Sequence, residues 1–480
     1  MSRRCISRRC ISRRCISRRC ISRGLFRPLL PGIALLILLL AACTPPAPVE
    51  SPAAEEGQAP AESAASGESA APAAGDGQVL RVWITWGDNP AQLQELFDRY
   101  TEQTGVRVEV TAPMETDKVI AGLSGNEGPD IQITGGADSV GTWAREGLVT
   151  PLDDFLQGGK VDLEDMSDAA EGQCIYQGKY YCLPWGTDTY ALFWNKDLFE
   201  EAGLDPETPP QTMEELAEFA KQLTKVDDSG QITQIGFIPN FSWSHLAQYV
   251  VMFGGYWYNE DGTELQLTSQ PVVDALKWEQ QFYCGDNNPE EVARLLAAAS
   301  SDYTSPDTGF YGGQIAMQVE GEWQPGPNFI QQFKPELFYG VAPFPPPASN
   351  PERANTNVVA GTVAFIPANV ADKEAAFDLL AWMMSPEIVA DEMVANFNLP
   401  TSKKAAEDPR FQENEKFVTF INLMNDPDAK SPIYSSINAE VDTALAQIEE
   451  KVFLECADPL PLLEEAQAQL QPQLDAALGN

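Results

Sequence analysis

The chain has 480 residues, of which 70 are Asp or Glu and 31 are Lys or Arg, so its formal charge near neutral pH is −39. So acidic a protein excludes nucleic acid and anionic lipid surfaces as partners, because both repel carboxylates. The length and the 44% hydrophobic content allow a large core and more than one domain.

Residues 1–42 have the features of a secretory signal peptide. Residues 2–21 are four copies of Ser-Arg-Arg-Cys-Ile, and an apolar run at 32–42 follows them. A basic segment followed by a short apolar stretch is typical of an exported protein, and this stretch is too short to span a bilayer permanently. The run LAAC at 40–43 looks like a bacterial lipobox, which implies cleavage before Cys43 and lipid on its thiol. A plain signal peptide with a chance cysteine is the alternative.

Residues 43–78 begin with this cysteine and continue almost entirely as Ala, Pro, Glu, Gly and Ser. Such a segment cannot bury enough apolar surface to offset the entropy of ordering, so we expect a disordered tether. Loss of residues 1–42 would remove ten Arg and no acid, which leaves 21 basic and 70 acidic residues. This balance fits a folded part that works outside the cell.

The apolar pattern from residue 79 onward predicts an α/β fold. The run VLRVWI at 79–84 predicts a buried strand, and alternating valines at 106–110 predict another. Between them, apolar residues recur at helical spacing at Leu93, Leu96, Phe97 and Tyr100. A strand, a helix and a strand at this spacing predict a parallel pair with a crossover helix.

Three further segments carry local predictions. The run YWYNEDG at 256–262 predicts a strand that enters a tight turn, and residues 372–384 predict a helix. Pro472 lies inside the last helical pattern, where a missing N–H and a bulky ring are expected to kink or break a helix.

Four cysteines lie in the part that is predicted to fold: Cys174, Cys182, Cys284 and Cys456. An even number in an exported protein favours disulfides. Cys174 and Cys182 flank a predicted turn at 177–179 and are expected to pair, which leaves Cys284 with Cys456 by elimination. A zinc site is the alternative, although the spacing matches no zinc pattern and the chain has one His.

A series of short motifs runs through the rest of the chain. The run PWGTD at 184–188 precedes an apolar strand, and Thr212 with Glu215 predicts a capping box at a helix start. Further motifs downstream are GQIAM at 313–317, GEW at 321–323, APFP at 342–345, AGT at 360–362 and NLPT at 398–401.

In their order and spacing, these motifs strongly resemble family 1 extracellular solute-binding proteins, the receptors of ABC sugar importers. The resemblance spans about 79–480. It implies a two-lobed periplasmic-binding-protein fold of the α/β class, with a ligand cleft between lobes joined by crossing hinge segments. Lobe 1 would take 79–187 and 353–395, and lobe 2 would take 188–352 and 396–480.

The resemblance implies a receptor that captures a carbohydrate, either a monosaccharide or an oligosaccharide, by lobe closure and delivers it to a membrane permease. It implies a monomer, lipid-anchored through Cys43 to the outer face of the cytoplasmic membrane, with no catalysis, cofactor or metal. One alternative is the same fold with a polyamine, peptide or metal chelate as ligand, which would show as carboxylates clustered in the cleft. Another is a surface glycosidase with paired carboxylates.

A sugar ring has apolar faces and a polar edge, so a sugar site needs aromatic rings together with carboxylates or amides. The candidate ligand-binding residues are Trp86, Asp138, Trp185, Asp188, Trp243, Glu320, Trp323 and Gly361. Core packing is the alternative for each Trp, and turn capping or solvent exposure for each acid. The single histidine, His245, lies in the run SWSHLA, which predicts a helix start in preference to a Ser-His-Asp site.

Overall fold

The structure is a computed structural model that describes residues 77–87, 89–125, 127–241, 243–285, 287–299 and 305–479. The predicted signal peptide, Cys43 and nearly all of the tether lie outside these ranges. Among the described residues, no helix has the length and apolar character needed to cross a bilayer.

The described strands alternate with helices along most of the chain. The strands are β1 Val79–Ile84, β2 Arg107–Thr111, β3 Ile131–Thr134, β4 Ile175–Tyr176, β5 Lys179–Tyr180, β6 Leu183–Pro184, β7 Gly186–Thr187, β8 Tyr190–Asn195, β9 Lys225–Val226, β10 Ile232–Phe237, β11 Ile315–Gly321, β12 Tyr339–Pro343, β13 Val363–Phe365 and β14 Leu399–Pro400.

The described helices are α1 Pro90–Thr104, α2 Thr116–Ser124, α3 Val140–Arg145, α4 Asp153–Leu156, α5 Asp168–Glu171, α6 Lys196–Ala202, α7 Met213–Leu223, α8 Leu246–Met252, α9 Gln270–Gln280, α10 Pro289–Ala298, α11 Ile330–Phe333, α12 Lys373–Met383, α13 Pro386–Asn396, α14 Glu415–Met424, α15 Asn438–Leu454 and α16 Pro459–Leu478.

The first sheet has the strand order β2-β1-β3-β13-β6 and defines lobe 1. Strand β1 pairs in parallel with β2, as the apolar pattern predicts, and it also pairs in parallel with β3. Helix α1 makes the crossover: Asn89 caps its start, Pro90 is its first residue, and Gly105 ends it in the left-handed conformation. The helix contacts β2, and its apolar face shares one core with the buried residues of β1 and β2.

The second sheet has the strand order β12-β8-β11-β10-β9 and defines lobe 2. Strands β10 and β11 are parallel, and β8 runs antiparallel to β11. The start of β8 therefore lies at the same sheet edge as the end of β11, with Tyr190 opposite Gly321. Helices α7, α8, α9, α15 and α16 contribute to the main core of this lobe.

Three chain segments run side by side between the two sheets. Strand β7 pairs with β14, and on its other side Asp188 pairs with Ala360. Gly361 permits this close approach, because a β-carbon there would lie 2.5 Å from Cα of Thr187. The fold is thus the predicted two-lobed α/β architecture with crossing segments. The lobe boundaries at 187/188, 352/353 and 395/396 stay predictions.

Both predicted disulfides are present, Cys174–Cys182 and Cys284–Cys456. The first closes a hairpin in which Gln177 and Gly178 form the turn, both with positive φ as a two-residue hairpin requires. The second connects the chain just after α9 to the chain just after α15.

Three local predictions differ from the structure. Residues 256–262 form no strand, and only an isolated bridge joins Tyr258 to Leu265. Pro472 does not break α16, because Leu470 and Leu474 are both buried in the lobe 2 core and hold the helix on either side of it. The predicted capping box is half formed: Thr212 caps the start of α7 by accepting from the backbone N–H of Glu215, as predicted, whereas the Glu215 side chain accepts from the backbone N–H of Gln211 and not from that of Thr212.

Candidate functional site

Two adjoining cavities lie where the lobes meet, one of about 400 Å³ and one of about 390 Å³. They share Gly135, Asp188, Tyr190 and Trp243 and therefore form one cleft. We call the first the acidic cavity, because four carboxyl side chains line it, and the second the aromatic cavity, because Trp86, Tyr190, Trp243 and Trp323 line it.

The sheet topology explains why these residues meet. Ligand sites of open α/β sheets lie at the carboxyl ends of parallel strands. In lobe 1, the chain leaves β1 toward Trp86 and leaves β3 toward Gly135. In lobe 2, it leaves β10 toward Trp243 and leaves β11 toward Trp323. Each lobe therefore presents the loops from its parallel strand ends to the cleft.

The lobe 2 wall of the aromatic cavity is a cluster of rings. The Trp243 and Trp323 centroids are 5.7 Å apart, and Tyr190 lies 6.2 Å from Trp323 and 6.3 Å from Trp243. Trp323 folds over Gly321, since a β-carbon on that glycine would lie 2.2 Å from the indole ring. The Gly-x-Trp motif therefore has a physical reason: only glycine leaves room for the ring.

The lobe 1 wall contributes Trp86. Its ring stacks on Trp185 with a centroid distance of 6.3 Å and an interplanar angle of 24°. Trp185 is completely buried, so it supports Trp86 from behind and does not line either cavity. A ligand between the lobes would meet Trp86 on one side and the ring cluster on the other.

A carboxyl pair lies at the crossing segments, where Asp188 is hydrogen-bonded to Glu322. Burial raises the pKa of Glu322 well above its ordinary value, and the charge of Asp188 raises it further. Burial also raises the pKa of Asp188 to about 7. Ionisation of Glu322 is therefore disfavoured, and its Oε2 accepts from the backbone N–H of Thr189.

Helix α15 forms one wall of the acidic cavity. Its residues Asn438, Asp442, Leu445 and Glu449 recur at spacings of four, three and four, so they lie on one helix face, and all four line the cavity. Asn438 donates to Asp442, and Ser244 donates to Glu449. Burial raises the pKa of both carboxyls to about 7.

Asp138 enters the acidic cavity from lobe 1 and stays accessible to the solvent of the cleft. The surrounding protein still removes part of its hydration, which raises its pKa. It contributes to the raised pKa of Asp442 on the opposite wall by charge repulsion. The two carboxyls therefore disfavour each other's ionisation across the cleft.

His245 also lines the acidic cavity and is buried, 4% exposed. Burial lowers its pKa to about 3, so the ring is neutral. Ser244 donates to Glu449 at 2.8 Å and not to this histidine, so Ser244 forms no Ser-His pair. Among the described residues, no group of three or more His, Cys, Asp or Glu side chains is placed to hold a metal ion.

Six of the eight candidate residues line the cleft: Trp86, Asp138, Asp188, Trp243, Trp323 and Gly361. Trp185 and Glu320 do not. Glu320 is completely buried because it lies inside β11, opposite Ala191 of β8, whereas the residues that reach the cleft follow the end of that strand.

Sequence reasoning missed several residues of the cleft. They are Tyr190, His245, Tyr256, Trp257, Tyr434, Asn438, Asp442 and Glu449. The periodicity of α15 contained a usable signal, because Asn438 and Glu449 share its buried face with Val441, Leu445 and Val452. Polar residues on the apolar face of an amphipathic helix are uncommon without a partner or a ligand.

Comparison with solved structures shows the same fold. The mannotriose-bound structure of CpMnBP1 is 27% identical, has a TM-score of 0.75, and covers 82% of this chain and 100% of that chain. A solute-binding protein from Thermotoga lettingae bound to α-D-tagatose is 20% identical with a TM-score of 0.68, and covers 83% of this chain and 100% of its own.

Comparison with curated sequences gives relatives of similar length. The maltotriose-binding protein of Pyrococcus abyssi is 24% identical over 72% of this chain and 71% of its own. The galactooligosaccharide-binding protein of Bacillus subtilis is 24% identical over 82% of this chain and 89% of its own. Residues 85–390 match the family described as bacterial extracellular solute-binding protein. With this match over more than half of its length and a two-lobed fold around an aromatic cleft, the chain belongs to the bacterial extracellular solute-binding proteins.

Proposed function

We propose that this protein is the carbohydrate receptor of an ABC importer and that its ligand is an oligosaccharide. The observation that carries the proposal is the aromatic cavity, in which Trp86 of lobe 1 faces the ring cluster of lobe 2. Flat rings on both walls match the apolar faces of a sugar, and the carboxyls and amides of the acidic cavity match its hydroxyl edge.

The carboxyls clustered in the cleft are also the sign expected of a polyamine or peptide ligand, so the aromatic walls and the relatives decide in favour of a carbohydrate. Those with a named ligand include proteins that bind maltotriose, galactooligosaccharides and mannotriose. The two adjoining cavities together give room for more than one sugar ring, which favours an oligosaccharide over a monosaccharide.

The mechanism that we propose is closure of the two lobes on the ligand. A ligand that touches both walls binds the closed state better than the open state and shifts the population toward it. Two contacts between α3 and the α15 region support a closed state: Thr142 donates to the backbone oxygen of Ser436 at 2.9 Å, and Arg145 pairs with Glu440 at 3.5 Å. These contacts would open when the lobes separate.

Export, anchoring and delivery complete the proposal. The signal-like residues 1–42 and the lipobox at 40–43 support export and a lipid on Cys43, which would hold the protein at the outer face of the cytoplasmic membrane. From there, a monomer in its closed form would dock on the membrane permease and release its ligand.

Binding without catalysis is part of the proposal. A serine nucleophile would require a base, yet Ser244 donates its hydrogen bond to a buried carboxyl and not to His245. The raised pKa values of the cleft carboxyls follow from burial, which a binding site also produces.

Isothermal titration calorimetry with mannotriose, maltotriose and galactooligosaccharides tests the proposal. We expect saturable binding of at least one of them, weakened about tenfold or more by Trp86→Ala. Trp382→Ala is a matched control, because Trp382 is also a half-buried tryptophan of lobe 1 but packs on Phe97 and Tyr100 away from the cleft. No binding of any saccharide, or equal weakening by both variants, would contradict the proposal.

A further inference from the structure

The acidic cavity is lined by carboxyl groups without any positively charged side chain among its described residues to balance them. Asp138, Asp188, Asp442 and Glu449 line it, and none of the described residues that line either cavity is Lys or Arg. His245 adds no positive charge, because burial keeps its ring neutral. Arg145 pairs with Glu440, and neither residue lines the two cavities. The carboxyls therefore have no cationic partner on the cavity wall.

Buried polar atoms in the same cavity point to a ligand independently of charge. Nε2 of His245, Nε1 of Trp257 and Oδ1 of Asn438 have no hydrogen-bond partner among the described residues. The three side chains are at most 6% exposed, and all three line the acidic cavity. Buried polar groups are nearly always hydrogen-bonded, so these atoms indicate a polar group that enters from the cleft.

Aromatic faces surround the carboxyls. Tyr190, Trp243, Tyr256, Trp257 and Tyr434 all line the acidic cavity. An ammonium group gains energy from aromatic faces as well as from carboxylates, particularly where water is excluded. A neutral hydroxyl gains little from either additional interaction.

The absence of a cationic partner for these carboxyls among the described lining residues has an energetic consequence. Three of the carboxyls hold their protons up to about pH 7 because burial penalises their charged forms. A cation in the cavity would favour the ionised carboxylates and form charge-assisted hydrogen bonds with them. A neutral sugar would leave that penalty in place.

We propose that the sugar unit seated in the acidic cavity carries a protonated amine, so that the ligand is an amino-sugar oligosaccharide whose neutral portion stacks in the aromatic cavity. This inference rests on the proposed carbohydrate function and specifies its ligand class. The amine lies among Asp442, Glu449 and Asp138. The neutral ring lies between Trp86 and Trp323.

The cavity fits this ligand better than it fits a bare cation. Among the described residues, no carboxyl group set is arranged to hold a metal ion. A linear polyamine would use the carboxyls but would leave the tryptophan-lined half of the cleft without a matching planar partner. An amino sugar uses both halves.

The test is calorimetry at neutral pH with di- and trisaccharides of glucosamine, their N-acetylated forms, the matching all-hydroxyl glucose oligosaccharides, and spermidine. We expect the amine-bearing saccharide to bind about tenfold or more tightly than its N-acetylated and all-hydroxyl counterparts, with an advantage that falls as salt is raised. Glu449→Gln and Asp442→Asn should remove most of this advantage. Glu450→Gln, a neighbouring exposed position on α15, makes the same charge change outside the cavity and should preserve it.

The outcomes separate the two proposals. If a neutral saccharide binds as tightly as the amine form, or if Glu450→Gln weakens amine binding as much as Glu449→Gln, the amine inference is overturned while carbohydrate binding stands. If spermidine binds and no saccharide does, the carbohydrate function itself is overturned. Circular dichroism of each variant checks that it is folded, and Asp442→Asn provides a second readout if Glu449→Gln fails that check.

Discussion

The indole ring of Trp323 lies directly on Gly321, so closely that a β-carbon on the glycine would come within 2.2 Å of it. The glycine therefore fixes where the ring stands in the cleft. The same relationship occurs once more in lobe 2, between Gly340 and Trp194, which lie opposite each other on β12 and β8. That second pair packs in the core and does not line the cleft.

We expect Gly321→Ala to weaken ligand binding by about 1–3 kcal/mol, as Trp323→Ala would, because the added methyl displaces the stacking ring. The double variant should lose no more than either single variant, since both remove the same interaction. Calorimetry with the ligand found by saccharide screening measures each loss. Gly340→Ala is the control: it should lower the melting temperature and leave affinity unchanged. Unchanged affinity of Trp323→Ala would place Trp323 with the core residues.

The contact between Thr142 and Ser436 should favour the closed state. Thr142→Val keeps the shape of the side chain but removes its hydroxyl donor, so we expect affinity to fall by about two- to tenfold. Thr104→Val is a matched control, because the Thr104 hydroxyl donates within α1 to the oxygen of Tyr100 at 2.8 Å and never crosses the cleft. Calorimetry on both variants compares them, and an equal effect would show that the Thr142 hydroxyl has no role in closure.

Stability should depend on pH through the buried carboxyls. Asp188, Asp442 and Glu449 have a pKa of about 7 in the folded protein, against about 4 when unfolded. Between these values the folded state binds more protons, so the free energy of unfolding falls as pH rises, by at most about 1.4 kcal/mol per pH unit for each group.

Urea denaturation from about pH 4.5 to 7.5 measures this slope. We expect Asp442→Asn to make the slope shallower. Exposed carboxyls whose pKa is lowered, such as Asp162 and Asp408, also contribute to the free energy of unfolding. They lose this contribution only at more acidic pH, so they should not affect the slope in this range. A slope that is identical in the variant would contradict the assignment.

The two disulfides should contribute unequally to stability. Cys284 and Cys456 are separated by 172 residues in sequence, and Cys174 and Cys182 by 8. In the chain-entropy model, the longer loop contributes about 5 kcal/mol and the shorter about 2.5 kcal/mol. Double serine variants at each bridge, compared by urea denaturation without reductant, test this order. A larger loss for the 174–182 pair would show that native-state contacts outweigh loop entropy.

The sequence-based predictions succeeded where a short pattern decides the structure. The apolar run at 79–84 and the periodic residues of α1 form β1 and its crossover helix as predicted. Trp86, Trp243 and Trp323 reach the cleft because each follows the end of a strand, and strand ends can be located from local pattern.

The contribution of α15 to the site could not be predicted in the same way. Its residues Asp442 and Glu449 meet Asp138 and His245 only because a helix late in the chain packs against the loop after β10 and reaches α3 of the other lobe. Tertiary packing also kept α16 continuous through Pro472. Periodicity marks Asn438 and Glu449 as polar residues on the buried face of α15, but it does not show which loops that face meets.

The cleft lining is divided unequally between the lobes, and this division implies an order of events. Lobe 2 supplies Tyr190, Trp243, Trp323 and the α15 carboxyls, whereas lobe 1 supplies Trp86, Asp138 and the adjacent glycines. A ligand that arrives while the lobes are apart can make most of its contacts with lobe 2 alone, and lobe 1 then covers it. Lobe 2 would therefore determine how fast the ligand associates, and lobe 1 would determine how slowly it dissociates. A permease could then release the ligand by moving lobe 1 away, without changing the binding surface of lobe 2.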